Sequence, residues 1–293
     1  MSLSRRKFLK MGMAASALPY ESYAKALRCA DKTANIYVGG VTGFESLADP
    51  AHSRLFRETC RAGLYIHGYI WDRTDLGIHE AVLSAFSDTP VDVELGLDDN
   101  SAKWLEVVYR PKYFDVGVHA QHAHVNGFRA GRLEAWRHFV QAAKKFEIST
   151  IAPIFSPNSQ QFKDNPFTTP FWDYLRQAAA IGGALTTDSP PHFFLQQSED
   201  YRRFVVDEIR WANSAGLHST FIVSPNSSGP AFLEETKRTV DFLNKHDAFP
   251  RAWVVENYDP KASPTYMNRI GTENNAENVL GVALWLSRNT PAT

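Results

Sequence analysis

The chain repeats one unit. A short apolar run ends in a polar tip, an amphipathic stretch follows, and the next apolar run arrives about 30 residues later, roughly one strand-helix-strand crossover. The apolar runs are 34–40 (ANIYVGG), 64–71 (LYIHGYIW), 91–97 (VDVELGL), 114–120 (FDVGVHA), 149–155 (STIAPIF), 183–187 (GALTT), 220–223 (TFIV) and 252–255 (AWVV). They are nearly continuous, as expected of parallel strands buried on both faces. The clearest helix between them is 133–146, where Leu133, Trp136, Val140 and Ala143 recur at helical spacing. Further helices are expected at 75–86, 101–109, 170–180, 200–212 and 232–245, with a closing one at 277–286. Ala215-Gly216 reads as a helix stop. Eight such units predict an α/β fold, a single (β/α)8 TIM barrel. The sixth run is short, and 279–286 also reads as a strand, which would shift the barrel by one unit. No Gly-rich phosphate loop follows the first run, which argues against an open doubly wound sheet.

Bulk properties narrow the partners. Net charge is −1 and no basic cluster occurs beyond the N-terminus, so a nucleic-acid partner is not expected. A mean hydropathy of −0.32 argues against a polytopic membrane protein. Aromatic residues make up 13% of the chain, which suits a sugar-binding cleft as well as a core.

Ser4-Arg5-Arg6-Lys7-Phe8-Leu9-Lys10 is followed by a mildly apolar stretch, Met11 to Leu18, and then by Ala24-Lys25-Ala26. This resembles the twin-arginine export signal of bacteria with its small-residue cleavage site. The resemblance implies that residues 1–26 are removed and that 27–293 forms the barrel domain. It also implies that the twin-arginine machinery is a partner, that no stable membrane span remains, and that the product is periplasmic or secreted. Removal takes Arg5, Arg6, Lys7, Lys10 and Lys25 against Glu21 alone, leaving a more acidic domain. An oxidising compartment permits a Cys29–Cys60 disulfide; two independent buried thiols are the alternative.

In such a barrel the site lies at the C-terminal ends of the strands. The tips carry Trp71 and Asp72; Asp98, Asp99 and Asn100; His119, His122 and His124; Asn158; Asp188 and His192; Asn226; and Glu256, Asn257 and Tyr258. Carboxylates and amides for hydroxyls, with aromatic faces for rings, suit a polar ligand with many hydroxyls. Glycoside hydrolysis uses a pair of carboxyl groups, one protonated and one ionised. Glu256 follows a buried strand directly, where a carboxylate is costly without a partner or a task. Asp188 opens a loop stiffened by Pro190 and Pro191. Asp98 or Asp99 caps the following helix, which accounts for one of the two.

His119, His122 and His124 fall within six residues, with His122 and His124 on one face of an extended segment. With Asp98 and Asp99 they loosely resemble the polysaccharide deacetylases, in which an Asp-Asp tip and paired histidines hold a divalent cation. The motif departs here, reading Asp98-Asp99-Asn100 with irregular histidine spacing.

The layout as a whole resembles a glycoside-hydrolase barrel in architecture, without a matching family signature. That resemblance implies an exported glycosidase acting on a polysaccharide or oligosaccharide. Glu256 and Asp188 would be acid and base or nucleophile, with Asp99 the next choice. Trp71, Asp98, His119, His122, His124, Asn158, His192, Asn226 and Tyr258 would position substrate, and neither metal nor cofactor is expected. The alternatives are a metal-dependent deacetylase or other hydrolase built on Asp98, Asp99, His119, His122 and His124, and a non-catalytic sugar-binding barrel.

Overall fold

A computed structural model of the chain describes residues 35–40, 47, 55, 59, 61–66, 82, 89–96, 120–126, 128, 131–144, 148–156, 169–225, 228–257, 270–271 and 278–291. Eight parallel strands close into a barrel in chain order. They are β1 (Ile36–Gly40), β2 (Ala62–Ile66), β3 (Val91–Gly96), β4 (Ala120–Asn126), β5 (Thr150–Phe155), β6 (Ala184–Asp188), β7 (His218–Val223) and β8 (Ala252–Asn257). Closure is made by β1 against β8, with Val38 opposite Val255 and Gly39 opposite Glu256. The (β/α)8 barrel expected from the repeating unit is the fold.

Alternation along each strand separates two cores. Val38, Leu64, Val93, Val125, Phe221 and Val255 point outward and join the helices in one large cluster. Tyr37, Tyr65, Ile154, Ile222, Ala252 and Val254 point inward and form a second, smaller cluster. The interior is not wholly apolar. Asp92, Glu94, His122, His124, Thr186, Thr220 and Glu256 are buried with it.

The described helices pack outside. They are α1 (Leu133–Lys144), α2 (Thr169–Gly182), α3 (Pro191–Gln196), α4 (Glu199–Ser214), α5 (Phe232–Lys245) and α6 (Val279–Asn289). In α1 the buried residues are Trp136, Phe139, Val140 and Ala143, and Trp136 Nε1 donates to the Ala178 carbonyl of α2 at 2.8 Å. Ser198 caps α4, its hydroxyl accepting from the Tyr201 amide at 3.2 Å. Gly216, at φ +74°, ends it as expected.

The segment that reads as helix or strand is helical: α6 starts at an Asn278 cap and packs on β1 and β8. Arg61, just before β2, ties down its far end by donating to the carbonyls of Ser287 (2.6 Å) and Thr290 (3.0 Å).

The fourth strand differs from expectation. The described strand is Ala120–Asn126, which shares only Ala120 with the expected run 114–120; residues 114–119 lie outside the described residues. Its alternating His122 and His124 are inward residues of the strand, while Ala123 and Val125 face the helices. Polar residues that alternate with apolar ones usually mark a solvated face; here they mark a polar barrel interior. Residues 1–26, where a signal is expected, and both cysteines lie outside the described residues.

Candidate active site

The C-terminal mouth of the barrel brings together three carboxyl groups from three strands. Glu94 lies near the end of β3, Asp188 ends β6, and Glu256 lies one residue before the end of β8. Glu94 and Glu256 are each 4% exposed, and Asp188 is half-buried. Each is an inward position, so their charges act on one another. Burial pushes Asp188 up to about 7, the Glu94 charge adds to the rise, and a hydrogen bond with Ser156 opposes it. Burial likewise holds Glu256 well above the usual carboxylate range, with further upward contributions from Glu94 and then Asp188. These are the two expected catalytic carboxylates, from the strands on either side of β7.

Glu94 is fixed by its neighbours on both sides. Tyr65 of β2 donates from Oη to Glu94 Oε2 at 2.5 Å. Asn126 of β4 donates from Nδ2 to Glu94 Oε1. Burial raises the Tyr65 hydroxyl well above its ordinary value, and Glu94, Glu256 and Asp188 add to this. Tyr65 therefore keeps its proton and stays a donor. Ser224, one residue past the Val223–Val255 pair of β7 and β8, is 1% exposed; among the described residues its Oγ has no hydrogen-bond partner.

Below the mouth lies a second layer of polar side chains. His124 contacts Thr186 Oγ1 through Nδ1 at 2.8 Å and Asp92 Oδ2 through Nε2 at 3.1 Å. The His122 backbone N–H donates to Asp92 Oδ1 at 3.2 Å, and its Nδ1 lies 2.7 Å from Thr150 Oγ1. Burial lowers His124 to about 4, against an upward pull from Glu94. Burial raises Asp92 to about 7, against lowering by His122 and Tyr37. The close Asp92–His124 contact is thus a neutral hydrogen bond between those two values, not an ion pair: neither group gains enough from the other to hold a charge in a dry interior. His122, lowered mainly by burial, stacks on His218 of β7 with centroids 4.0 Å apart. Burial takes His218 down to about 2, so the stack is of neutral rings.

Of the residues expected to bind substrate, His122 and His124 therefore lie inside the barrel rather than on a loop at its mouth. His192 sits on α3 with both ring nitrogens engaged: Nδ1 is 3.0 Å from Glu235 Oε1 of α5, and Nε2 is 2.8 Å from the Gln196 amide. This couples α3 to α5. Trp71, Asp98, Asp99, His119, Asn158, Asn226 and Tyr258 lie outside the described residues.

The residues that sequence reasoning passed over are Glu94, Asp92, Tyr65 and His218. Asp92 and Glu94 were legible as the acidic positions of an alternating strand, but they fall before the tip, where only the barrel's inward parity makes them site residues. Among the described residues, no group of three or more His, Cys, Asp or Glu side chains is placed to hold a metal ion, and no helix is long and apolar enough to cross a membrane. No protein-family model and no curated protein matches the chain.

Proposed function

We propose that this barrel is an exported glycoside hydrolase acting on a polysaccharide or oligosaccharide, with Asp188 and Glu256 as its acid/base pair. One observation carries the reading: a half-buried Asp188 and a buried Glu256 at the ends of β6 and β8, both driven toward protonation by burial and by the Glu94 charge, with Asp188 adding to the rise at Glu256. Two like charges in one dry site do not both ionise readily, so the pair retains a proton near neutral pH. Such a proton is what the leaving oxygen of a glycoside needs when its bond to the anomeric carbon breaks.

The location agrees with the rule that barrel enzymes work at the C-terminal strand ends. The twin-arginine-like N-terminus supports export of the folded domain, and so a substrate in or beyond the periplasm.

The test is turnover of a glycan panel by the wild type, Asp188→Asn and Glu256→Gln. Each variant is expected to lose about 10²- to 10⁴-fold in kcat/KM, the contribution of positioned acid–base groups. Full activity in both variants would refute the assignment.

A further inference from the structure

We propose that Glu94 is a catalytic residue of this site: it supplies the electron pair when the glycosidic bond breaks, and the Asp188–Glu256 pair supplies the proton. This rests on the glycosidase reading above and adds a role that strand-tip reasoning does not assign.

The geometry sets Glu94 apart from the other two carboxyl groups. Its two oxygens each accept a hydrogen bond, Oε2 from Tyr65 Oη and Oε1 from Asn126 Nδ2. The donors come from the strands on either side, β2 and β4, so the carboxylate plane is fixed from both flanks. A group that accepts at both oxygens presents lone pairs, not a proton of its own, to those neighbours.

The support extends one layer deeper. The Tyr65 ring packs edge-on against His124, with centroids 5.5 Å apart at 61°, and His124 is pinned by Thr186 and Asp92. Tyr65 is fully buried, whereas Asn126 is exposed. The Oε1 edge of Glu94 therefore lies on the solvent side, where a substrate enters. A carboxylate held in advance of the reaction lowers the reorganisation its charge requires in the transition state.

The step balances in either of two forms. In the direct form the Glu94 carboxylate bonds to the anomeric carbon as that carbon's bond to the leaving oxygen breaks. The leaving oxygen keeps the bonding pair and takes a proton from Asp188–Glu256. Water then displaces Glu94 from the carbon and returns a proton to the pair. In the water-mediated form Glu94 takes a proton from the attacking water, whose oxygen bonds to the anomeric carbon, while the leaving oxygen is protonated as before.

The experiment uses the mature chain and dinitrophenyl glycosides of the common hexoses and hexosamines, whose leaving group needs no proton. With a glycoside that the wild type turns over, Glu94→Gln is expected to lose about 10³-fold or more in kcat/KM. Asp188→Asn and Glu256→Gln are expected to keep most of their activity on it while losing activity on unactivated glycans. Azide should restore turnover to Glu94→Ala and yield a glycosyl azide of inverted configuration.

Glu94→Gln activity within tenfold of wild type overturns the proposal. Tyr65→Phe reads the same role if the Glu94 variants do not fold by circular dichroism. Its kcat should fall about 10- to 100-fold with KM unchanged, from loss of a charge-assisted hydrogen bond, and an unchanged kcat overturns the proposal. A wild type that turns over none of these glycosides removes the glycosidase reading and this role together. An active wild type with an active Glu94→Gln removes the role alone.

Discussion

At Asp92 a carboxyl group sits fully inside the barrel, 3.1 Å from His124 Nε2, and the two titrate in opposite senses. The folded Asp92 is raised from 3.8 to about 7. The stability it contributes is therefore fully present below about 4 and is lost as pH rises through 7. His124 is lowered from 6.5 to about 4, so its contribution is present above 6.5 and is lost as pH falls toward 4. Between about 4 and 6.5 the two slopes offset one another. Asp92→Asn keeps the shape and an amide donor for His124 while removing the carboxyl titration. The variant is expected to melt a few degrees above wild type at pH 8. Its stability should rise more steeply with pH between about 4 and 6.5 than that of the wild type, because the opposing Asp92 slope is gone. Thermal melts across this range check both. A variant less stable than wild type at pH 8 would show that Asp92 is needed as a charge.

At the scale of single elements, β1 shows why a strand can demand glycine. A Cβ placed on Gly39 would stand 1.8 Å from the Tyr65 carbonyl oxygen of β2, a contact that only backbone movement relieves. Gly39→Ala is expected to destabilise the fold by about 3 kcal/mol, the upper end of overpacking effects, and to lower activity through displacement of Tyr65. Denaturant melts with a parallel kinetic assay measure it. The glycines closing that apolar run are visible in the sequence, although their reason, the neighbouring backbone, is not.

Elements built from buried apolar faces were legible in the same way. The helix 232–245 matches α5 end for end, and α4 differs from its expected span by a residue or two. The histidine-bearing part of strand four was not legible, because the apolar run 114–120, of which 114–119 lie outside the described residues, carries the usual signal of a buried strand. The described strand, AQHAHVN, buries histidines held by Asp92, Thr150 and Thr186, residues 28 to 62 positions away. Partners that distant leave no local trace. Glu256 and Asp188 were identifiable because each follows directly on an apolar run. Glu94 was not, because it lies within one.

For the molecule as a whole, chain-order closure of eight strands turns residues far apart in sequence into one chemical unit. Glu94, Asp188 and Glu256 come from β3, β6 and β8 and meet only because β8 pairs with β1. Burial in the mouth then makes their charges interact strongly, and the proton retained there links the fold to the proposed chemistry. The pH dependence of kcat/KM for the wild type tests this most directly, because it reports the essential acid of the free enzyme. The expected profile turns down on its alkaline side only where the Asp188–Glu256 pair loses its last proton, well above the usual carboxylate range, and that limb disappears for an activated leaving group. A profile that already turns down in the ordinary carboxylate range, at about pH 4 to 5, or an alkaline limb that persists with an activated leaving group, would contradict a proton held between Asp188 and Glu256, and with it the acid/base account of this barrel.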